Sequence, residues 1–447
     1  MLSRFAKVLR VVGLATVVYG IDAPAQTPPP PAASLDEKTR RAVIDSVTVQ
    51  VERLYVDADT GRMIADALRR RLRTGSYDGV TDPRRLALML TTALRFVNGD
   101  LHLGVVYAPS GVGPFSHAMA ATERLRHYAL GRVDVLAGNV GYLEVTGFSA
   151  APEATGVLVA ALRYLETTDA MIIDVRRNSG GSPALANLLA SHFMGADTVA
   201  TVVSKVRGLS PGSIRTATQY TLASVPGPRR PDVPLYVLTS RGTVSAGEWF
   251  SFTLQNLKRA TIVGERTAGA GHNVAFMRSG HGFSTTISYS RVTDARTGKE
   301  WERVGVQPDV RVEPAAALDA AHSLALGVIG GASAEPRRRE LALIRETVDA
   351  RARPHTVPAG ELASYVGTYE GDRQVTLLDG RLQYRTPTAQ YPETLVALSD
   401  SSFALGTTRL VFGRDERGRL RIRALLADGS MTTFARVDSD TSSPARK

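Results

Sequence analysis

Leu235-Tyr-Val-Leu-Thr-Ser-Arg-Gly-Thr-Val-Ser-Ala-Gly-Glu248 is the stretch that decides the architecture. Leu235 to Thr239 is a short apolar run, too brief for a buried helix, and reads as a buried strand. A Gly-containing turn follows, and a helix starts at or near Ser245. Working outward, Met171-Ile-Ile-Asp-Val175 repeats the pattern, with the turn Asn178-Ser-Gly-Gly181 and a helix over Pro183 to Met194. Upstream, the strand GYLEV from Val140 precedes a helix over Ala154 to Leu165. Apolar strands alternating with helices imply an α/β unit whose largely parallel sheet is covered on both faces. Ser284 to Val292 and Trp301 to Val312 read as further strands, with Ala295 to Lys299 as a polar turn.

On either side the texture changes. Val43, Ile44, Val47, Val51 and Leu54 recur at three- and four-residue steps, and Met63 to Leu72 and Arg85 to Val97 behave alike, so 34–108 is expected to be a helical domain. Ser34 and Glu37 fit a capping box at its start. The core then spans 109–313, a helical connector 314–355, and a C-terminal β-barrel-like domain 356–438, where Asp379-Gly380, Arg417-Gly418 and Asp428-Gly429 are hairpin turns. Residues 439–447 read as a disordered tail. At the other end Arg4, Lys7 and Arg10 precede the apolar run Val11 to Ile21 and the small-x-small pattern Ala23-Pro-Ala25. That is a cleavable signal peptide over 1–25, followed by a Pro-rich linker over 26–33. The mature chain is therefore expected to be exported, periplasmic or secreted, with no stable membrane insertion after cleavage.

Composition removes whole classes of function. The 447 residues include no cysteine, which excludes disulfides, zinc–thiolate sites and a cysteine nucleophile. The net charge of +11 comes from 48 Arg and 6 Lys scattered without a basic block, so no nucleic-acid partner is expected. No Ser-x-x-Lys, His-Glu-x-x-His or Gly-Lys-Ser/Thr occurs, so three familiar catalytic and phosphate-binding patterns are absent, and Ser245 does not stand in a Gly-x-Ser-x-Gly elbow.

The chemistry that remains uses oxygen and nitrogen. Ser245 at a helix N-terminus is placed where developing negative charge is favoured, which suits a nucleophile as well as an ordinary cap. Gly180 and Gly181, after a buried strand, let backbone N–H groups approach a ligand, as an oxyanion hole requires. Of the histidines, His102 in Asn98-Gly-Asp-Leu-His-Leu-Gly104 ends the helical unit, and His272 follows the Gly-rich turn Thr267-Ala-Gly-Ala-Gly271.

In that order the motifs Asn-Gly-Asp-Leu-His102, GYLEV, MIIDVRRNSGG, LYVLTSRGTVSAGE, IVGERTAGAG and Glu302-Arg-Val-Gly-Val-Gln-Pro-Asp309 resemble the tail-specific (C-terminal processing) serine peptidase family. The nearest branch is the interphotoreceptor retinoid-binding protein-like and tricorn-core one. The resemblance covers about Leu35 to Val312 and implies a crotonase-like ββα core with Ser245 as nucleophile. Where tail-specific members carry a catalytic lysine this chain has Ala270, so the Ser–Lys dyad is absent. The tricorn-like branch implies instead His102 as base and Glu302 as its ordering carboxylate, with oxyanion donors at Ala246 and at Gly180 or Gly181. His272, two residues beyond the lost lysine position, is the alternative base. The stretch between His102 and Val140 is too short for the peptide-binding PDZ module of tail-specific members. The expectation is an exported serine peptidase acting through an acyl-enzyme on peptides or unfolded chains, without cofactor or metal. A non-catalytic binder of an apolar ligand on the same fold, and a hydrolase for a non-peptide ester or amide, stay open.

Overall fold

The computed structural model describes residues 34–109, 122–207, 213–227 and 229–437. The expected signal peptide, Pro-rich linker and C-terminal tail lie outside the described residues.

The chain is mixed α/β. Its centre is a six-stranded sheet in the order Val310–Arg311, Thr261–Gly264, Leu235–Thr239, Ala170–Asp174, Val140–Val145, Leu130–Leu136. Every pairing is parallel except the last. Because strand side chains alternate, Met171 and Ile173 face one way and Ala170 and Ile172 the other, and all four are buried. The first face is covered by the helices Glu153–Tyr164, Pro183–His192 and Ala246–Asn256, through Leu158, Leu185, Leu189, Phe250 and Leu254. Each such side chain removed from water contributes about 1.5–3 kcal/mol.

The opposite face corrects an expectation. The helices Ala317–Ala332 and Arg337–Ala352, read from sequence as a connector, lay Ala321, Ala325, Leu326, Ile329, Leu341, Ile344 and Val348 against Val140, Ile172, Tyr236 and Leu238. They complete the core. By length and composition the stretch Pro314–Ala332 could cross a membrane, but its apolar side is used on the sheet.

A second, antiparallel sheet runs Gly104–Tyr107, Phe283–Asp294, Ala200–Arg207, Ile214–Tyr220, with Asn273–Gly280 also paired to Phe283–Asp294. On it rest the helices Glu37–Leu54, Ala58–Arg73 and Pro83–Phe96, whose Val43, Ile44, Val47, Leu68, Leu86 and Leu90 close over Phe283 and Ile287. The first helix is capped by Asp36, which accepts from the Thr39 N–H at 2.7 Å, two residues later than the Ser34 expected. The short strand Gly104–Tyr107 hydrogen-bonds into this antiparallel sheet and so ties the helical unit to it. Trp301 to Val312, expected as a strand, is a turn and loop up to Val310, with Arg303 at φ 61° and Gly305 at φ 69°.

Beyond Val357 two antiparallel sheets of four and five strands share one core of Tyr365, Tyr369, Phe403 and Phe412. Tyr365 and Phe412 stack at 4.4 Å between ring centroids, and a bridge between Tyr369 and Arg436 joins the sheets.

Candidate active site

Ser245 stands at the tip of a sharp strand–turn–helix corner, with φ 53° and ψ −114°. For a residue with a Cβ this conformation costs on the order of 1–3 kcal/mol and persists only where its surroundings enforce it. They do so here. Thr243 Oγ1 donates to Val175 O at 2.8 Å, Ser240 Oγ to Arg176 O at 2.6 Å, and the Val244 N–H to Asn178 O at 2.9 Å. The turn after one parallel strand is thereby pinned to the turn after its neighbour.

That pinning brings the glycines to the serine. A Cβ built on Gly180 would lie 3.3 Å from Ser245 Oγ. Gly181, at φ 126°, has no room for a side chain, because its Cβ would fall 2.0 Å from Phe148 O. The two differ as donors: the Gly180 N–H is engaged by Asn178 Oδ1 at 2.8 Å. Among the described residues neither the Gly181 N–H nor that of Ala246, first in the helix, is taken by an acceptor.

Glu248, one turn into that helix, is fully buried and accepts four hydrogen bonds. They come from the Ser245 N–H at 2.9 Å, Thr267 Oγ1 at 2.6 Å, the Gly269 N–H at 2.6 Å and the Ala270 N–H at 2.8 Å. Burial pushes its pKa up while these donors pull it down, and the net direction is upward. One carboxylate thus clamps the corner that carries Ser245 to the loop that runs into His272.

His272 lines the same cavity as Ser245, a space of about 50 Å³ bounded also by Gly181, Ala246, Trp249 and Ala270. Its Nδ1 is 2.9 Å from Asp100 Oδ2 and 3.7 Å from Glu302 Oε2. Asp100 is fully buried, and also accepts from the Tyr55 hydroxyl at 3.0 Å and the His102 N–H at 2.9 Å. Burial would raise Asp100, but the hydrogen bond and charge of His272 outweigh it and hold the acid at about 2. Burial would lower the His272 pKa, but the bond to Asp100 and the nearby Glu302 raise it above the ordinary imidazole value. A carboxylate on Nδ1 fixes the tautomer that leaves Nε2 free to accept a proton. Glu302 accepts from the Gly271 N–H at 2.7 Å, and its Oε1 is buried without a partner among the described residues.

The structure therefore brings together Ser245, Ala246, Gly181 and His272, with Glu302 beside His272 rather than beside His102. His102 does not line the Ser245 cavity. Among the described residues its Nδ1 is buried without a partner, and burial lowers its pKa to about 4, with Asp100 opposing and His272 and Arg95 reinforcing the shift. No hydrogen bond joins Ser245 Oγ to either histidine. Lys205 lines an adjacent cavity, not this one.

His102 carries a stability prediction. Its folded pKa lies below that of the unfolded chain, so the unfolded state binds more protons between about pH 6.5 and pH 4. Stability should drop as pH falls through that window, and His102→Gln should remove part of the slope. A thermal-melt series against pH checks this; identical slopes in both proteins contradict it.

Two residues escaped sequence reading. Glu248 had a local signal, the Ser-x-x-Glu spacing of a capping box at Ser245. Asp100 stood inside the Asn98-Gly-Asp-Leu-His motif, but its bond to His272 spans 172 positions and has no local signature.

With this geometry in hand, residues 139–312 match the model described as peptidase family S41. The carboxyl-terminal-processing protease of Synechocystis sp. is 30% identical over 179 residues, 39% of this chain and 38% of that protein. The chloroplastic C-terminal processing peptidase of Tetradesmus obliquus is 28% identical over 178 residues, 39% of this chain and 35% of its own. The chain thus spans little more than a third of these relatives' length. Among solved structures, a photosystem II D1 C-terminal processing protease covers 62% of this chain and 94% of its own, at 16% identity and a TM-score of 0.40.

Proposed function

We propose that residues 139–312, which match peptidase family S41, form a domain of that family, and that the protein is an exported serine peptidase cutting peptide bonds in peptides or unfolded chains, with Ser245 as nucleophile. The observation that carries the reading is the strained Ser245 corner facing His272 across one cavity, with two unengaged N–H groups beside it. The core is read as the crotonase-like arrangement of that family.

In this mechanism Asp100 holds the His272 ring, and Nε2 takes the Ser245 proton as Oγ forms its bond to the substrate carbonyl carbon. The oxyanion is received by the N–H groups of Ala246 and Gly181; Gly180, equally expected from sequence, is occupied by Asn178. His272 then gives its proton to the amine as the C–N bond breaks. Water, deprotonated by the same imidazole, releases the acyl group. Glu302 supports the charged imidazole from 3.7 Å. His272 replaces His102 as the preferred base because Glu302 sits beside it and because it shares the cavity with Ser245.

The pH profile separates the two bases. A general base works only when unprotonated, so activity is lost as pH falls through its pKa. With His272 in that role, the acid limb of kcat/KM on a peptide lies above pH ~6.5, the ordinary imidazole value, and Asp100→Asn shifts it downward. A limb near pH 4 would assign the role to His102. The cavity of about 50 Å³ disfavours the apolar-ligand reading, since small-molecule pockets span about 300–1,000 Å³. Export is tested by sequencing the N-terminus of the secreted protein: Gln26 is expected first, and an intact Met1 contradicts the signal.

A further inference from the structure

Asn178 stands in the turn after Ala170–Asp174, fully buried and outside the Ser245 cavity. Its side chain is satisfied on both sides: Oδ1 accepts from the Gly180 N–H at 2.8 Å, and Nδ2 donates to Val145 O at 2.9 Å. Turning the amide over would set N–H against N–H and oxygen against oxygen, so the two partners require this orientation. The Asn178 main-chain carbonyl accepts from the Val244 N–H at 2.9 Å, one position before Ser245. A single residue therefore holds the nucleophile corner through its backbone and the glycine pair through its side chain.

Two adjacent glycines at positive φ, 96° and 126°, have a wide choice of conformations, so something must fix the direction of their N–H groups. Gly180 is held at both ends. Its N–H is taken by Asn178, and its carbonyl accepts from the Phe148 N–H at 2.7 Å. In a planar trans peptide the C=O and the N–H that follows point opposite ways. With Gly180 O anchored on Phe148, the Gly181 N–H is turned away from Phe148. Gly181 lines the Ser245 cavity, and a Cβ on Gly180 would lie only 2.9 Å from Ser245 Cβ.

We propose that Asn178 is a positioning residue for the oxyanion hole: by holding the Gly180 N–H it selects the Gly181 N–H as the donor and fixes where that donor stands relative to Ser245. The inference rests on the peptidase reading of Ser245. It also gives a reason for glycine at position 247, the second residue of the helix Ala246–Asn256. A Cβ there would lie 2.8 Å from Asn178 Oδ1 and 3.0 Å from its Cγ, closer than a side chain can approach. Alanine is the better helix former, so the bare backbone at 247 gives up helix propensity and keeps room for the amide.

The test uses the full mature protein and two variants with opposite side effects. Asn178→Ala removes the amide and leaves two buried groups unpaired; Gly247→Ala keeps the amide, pushes it off the Gly180 N–H and gains helix propensity. Both should lower kcat on a susceptible peptide about 10²-fold, the lower end for losing one oxyanion donor, with KM changed by no more than about twofold. A peptide boronate, which mimics the tetrahedral adduct, should lose affinity by the same factor as kcat. A merely structural role would instead reduce the number of competent molecules, which the end point of fluorophosphonate labelling counts; that end point should hold while the labelling rate falls. On the wild type, labelling glycine with ¹³C at the carbonyl and ¹⁵N at the amide singles out Gly181 and Gly331, the two glycines that follow a glycine. The boronate should move the Gly181 N–H resonance downfield and leave that of Gly331 in place. Wild-type kcat in Gly247→Ala, a lowered labelling end point with an unchanged rate, or a bound boronate that leaves Gly181 unmoved overturns the proposal. Failure of the peptidase reading looks different: the folded wild type then neither hydrolyses peptides nor takes the fluorophosphonate, and the role of Asn178 falls with it.

Discussion

Ser245→Ala is expected to lower kcat/KM on a susceptible peptide by about 10⁴- to 10⁶-fold, the scale seen when an acyl-enzyme nucleophile is removed and only binding and the oxyanion donors remain. The backbone adds a second, independent signature. At φ 53° and ψ −114° alanine carries the same strain as serine, whereas glycine adopts positive φ freely. Ser245→Gly should therefore be as inactive as Ser245→Ala but more stable by about 1 kcal/mol, the lower end of the strain at such a site. Thermal denaturation of the two variants measures the difference. Equal stability would show that the corner is not strained, and residual turnover near the wild-type rate would remove Ser245 from the mechanism.

Replacing Glu248 should produce the largest loss of stability. Glu248→Ala leaves four donors without their acceptor, those of Ser245, Thr267, Gly269 and Ala270, in a fully buried site. Breaking a buried charged network from one side costs about 3–5 kcal/mol. Glu248→Gln keeps the volume and one acceptor oxygen, so it should fold better. It should still lose activity by about 10²-fold, because the distance between the Ser245 corner and the His272 loop is then set less firmly. Chemical denaturation of the alanine variant and kcat of the glutamine variant test the two halves. A glutamine variant with full activity would show that Glu248 contributes packing alone.

How far the sequence reads into this molecule depends on the range of the interaction. The parallel strands Leu235–Thr239 and Ala170–Asp174 are short apolar runs with turn signals at their ends, so local pattern decides them. Trp301 to Val312 misleads because Trp301 and Val306 are buried as loop anchors, not as alternate residues of a strand. The helices after Ala317 are plain in the sequence, but the surface an amphipathic helix covers is a tertiary fact, and theirs is the second face of the sheet. Ser245 is legible from the strand–turn–helix texture. Its strained backbone is not, since no Gly-x-Ser-x-Gly marks it. The choice between His102 and His272 turns on which ring Asp100 grips, and Asp100 touches both residues: the backbone of one and the imidazole of the other.

The proposed mechanism requires that a base in contact with the cavity activates Ser245. The most direct measurement is the rate at which a fluorophosphonate probe labels the purified mature protein, compared with Ser245→Ala, His272→Ala and His102→Ala. Labelling of the wild type, its absence in Ser245→Ala and a loss of several orders of magnitude in His272→Ala, with a much smaller loss in His102→Ala, is the predicted result. Undiminished labelling of Ser245→Ala, or no labelling of the folded wild type, would contradict it.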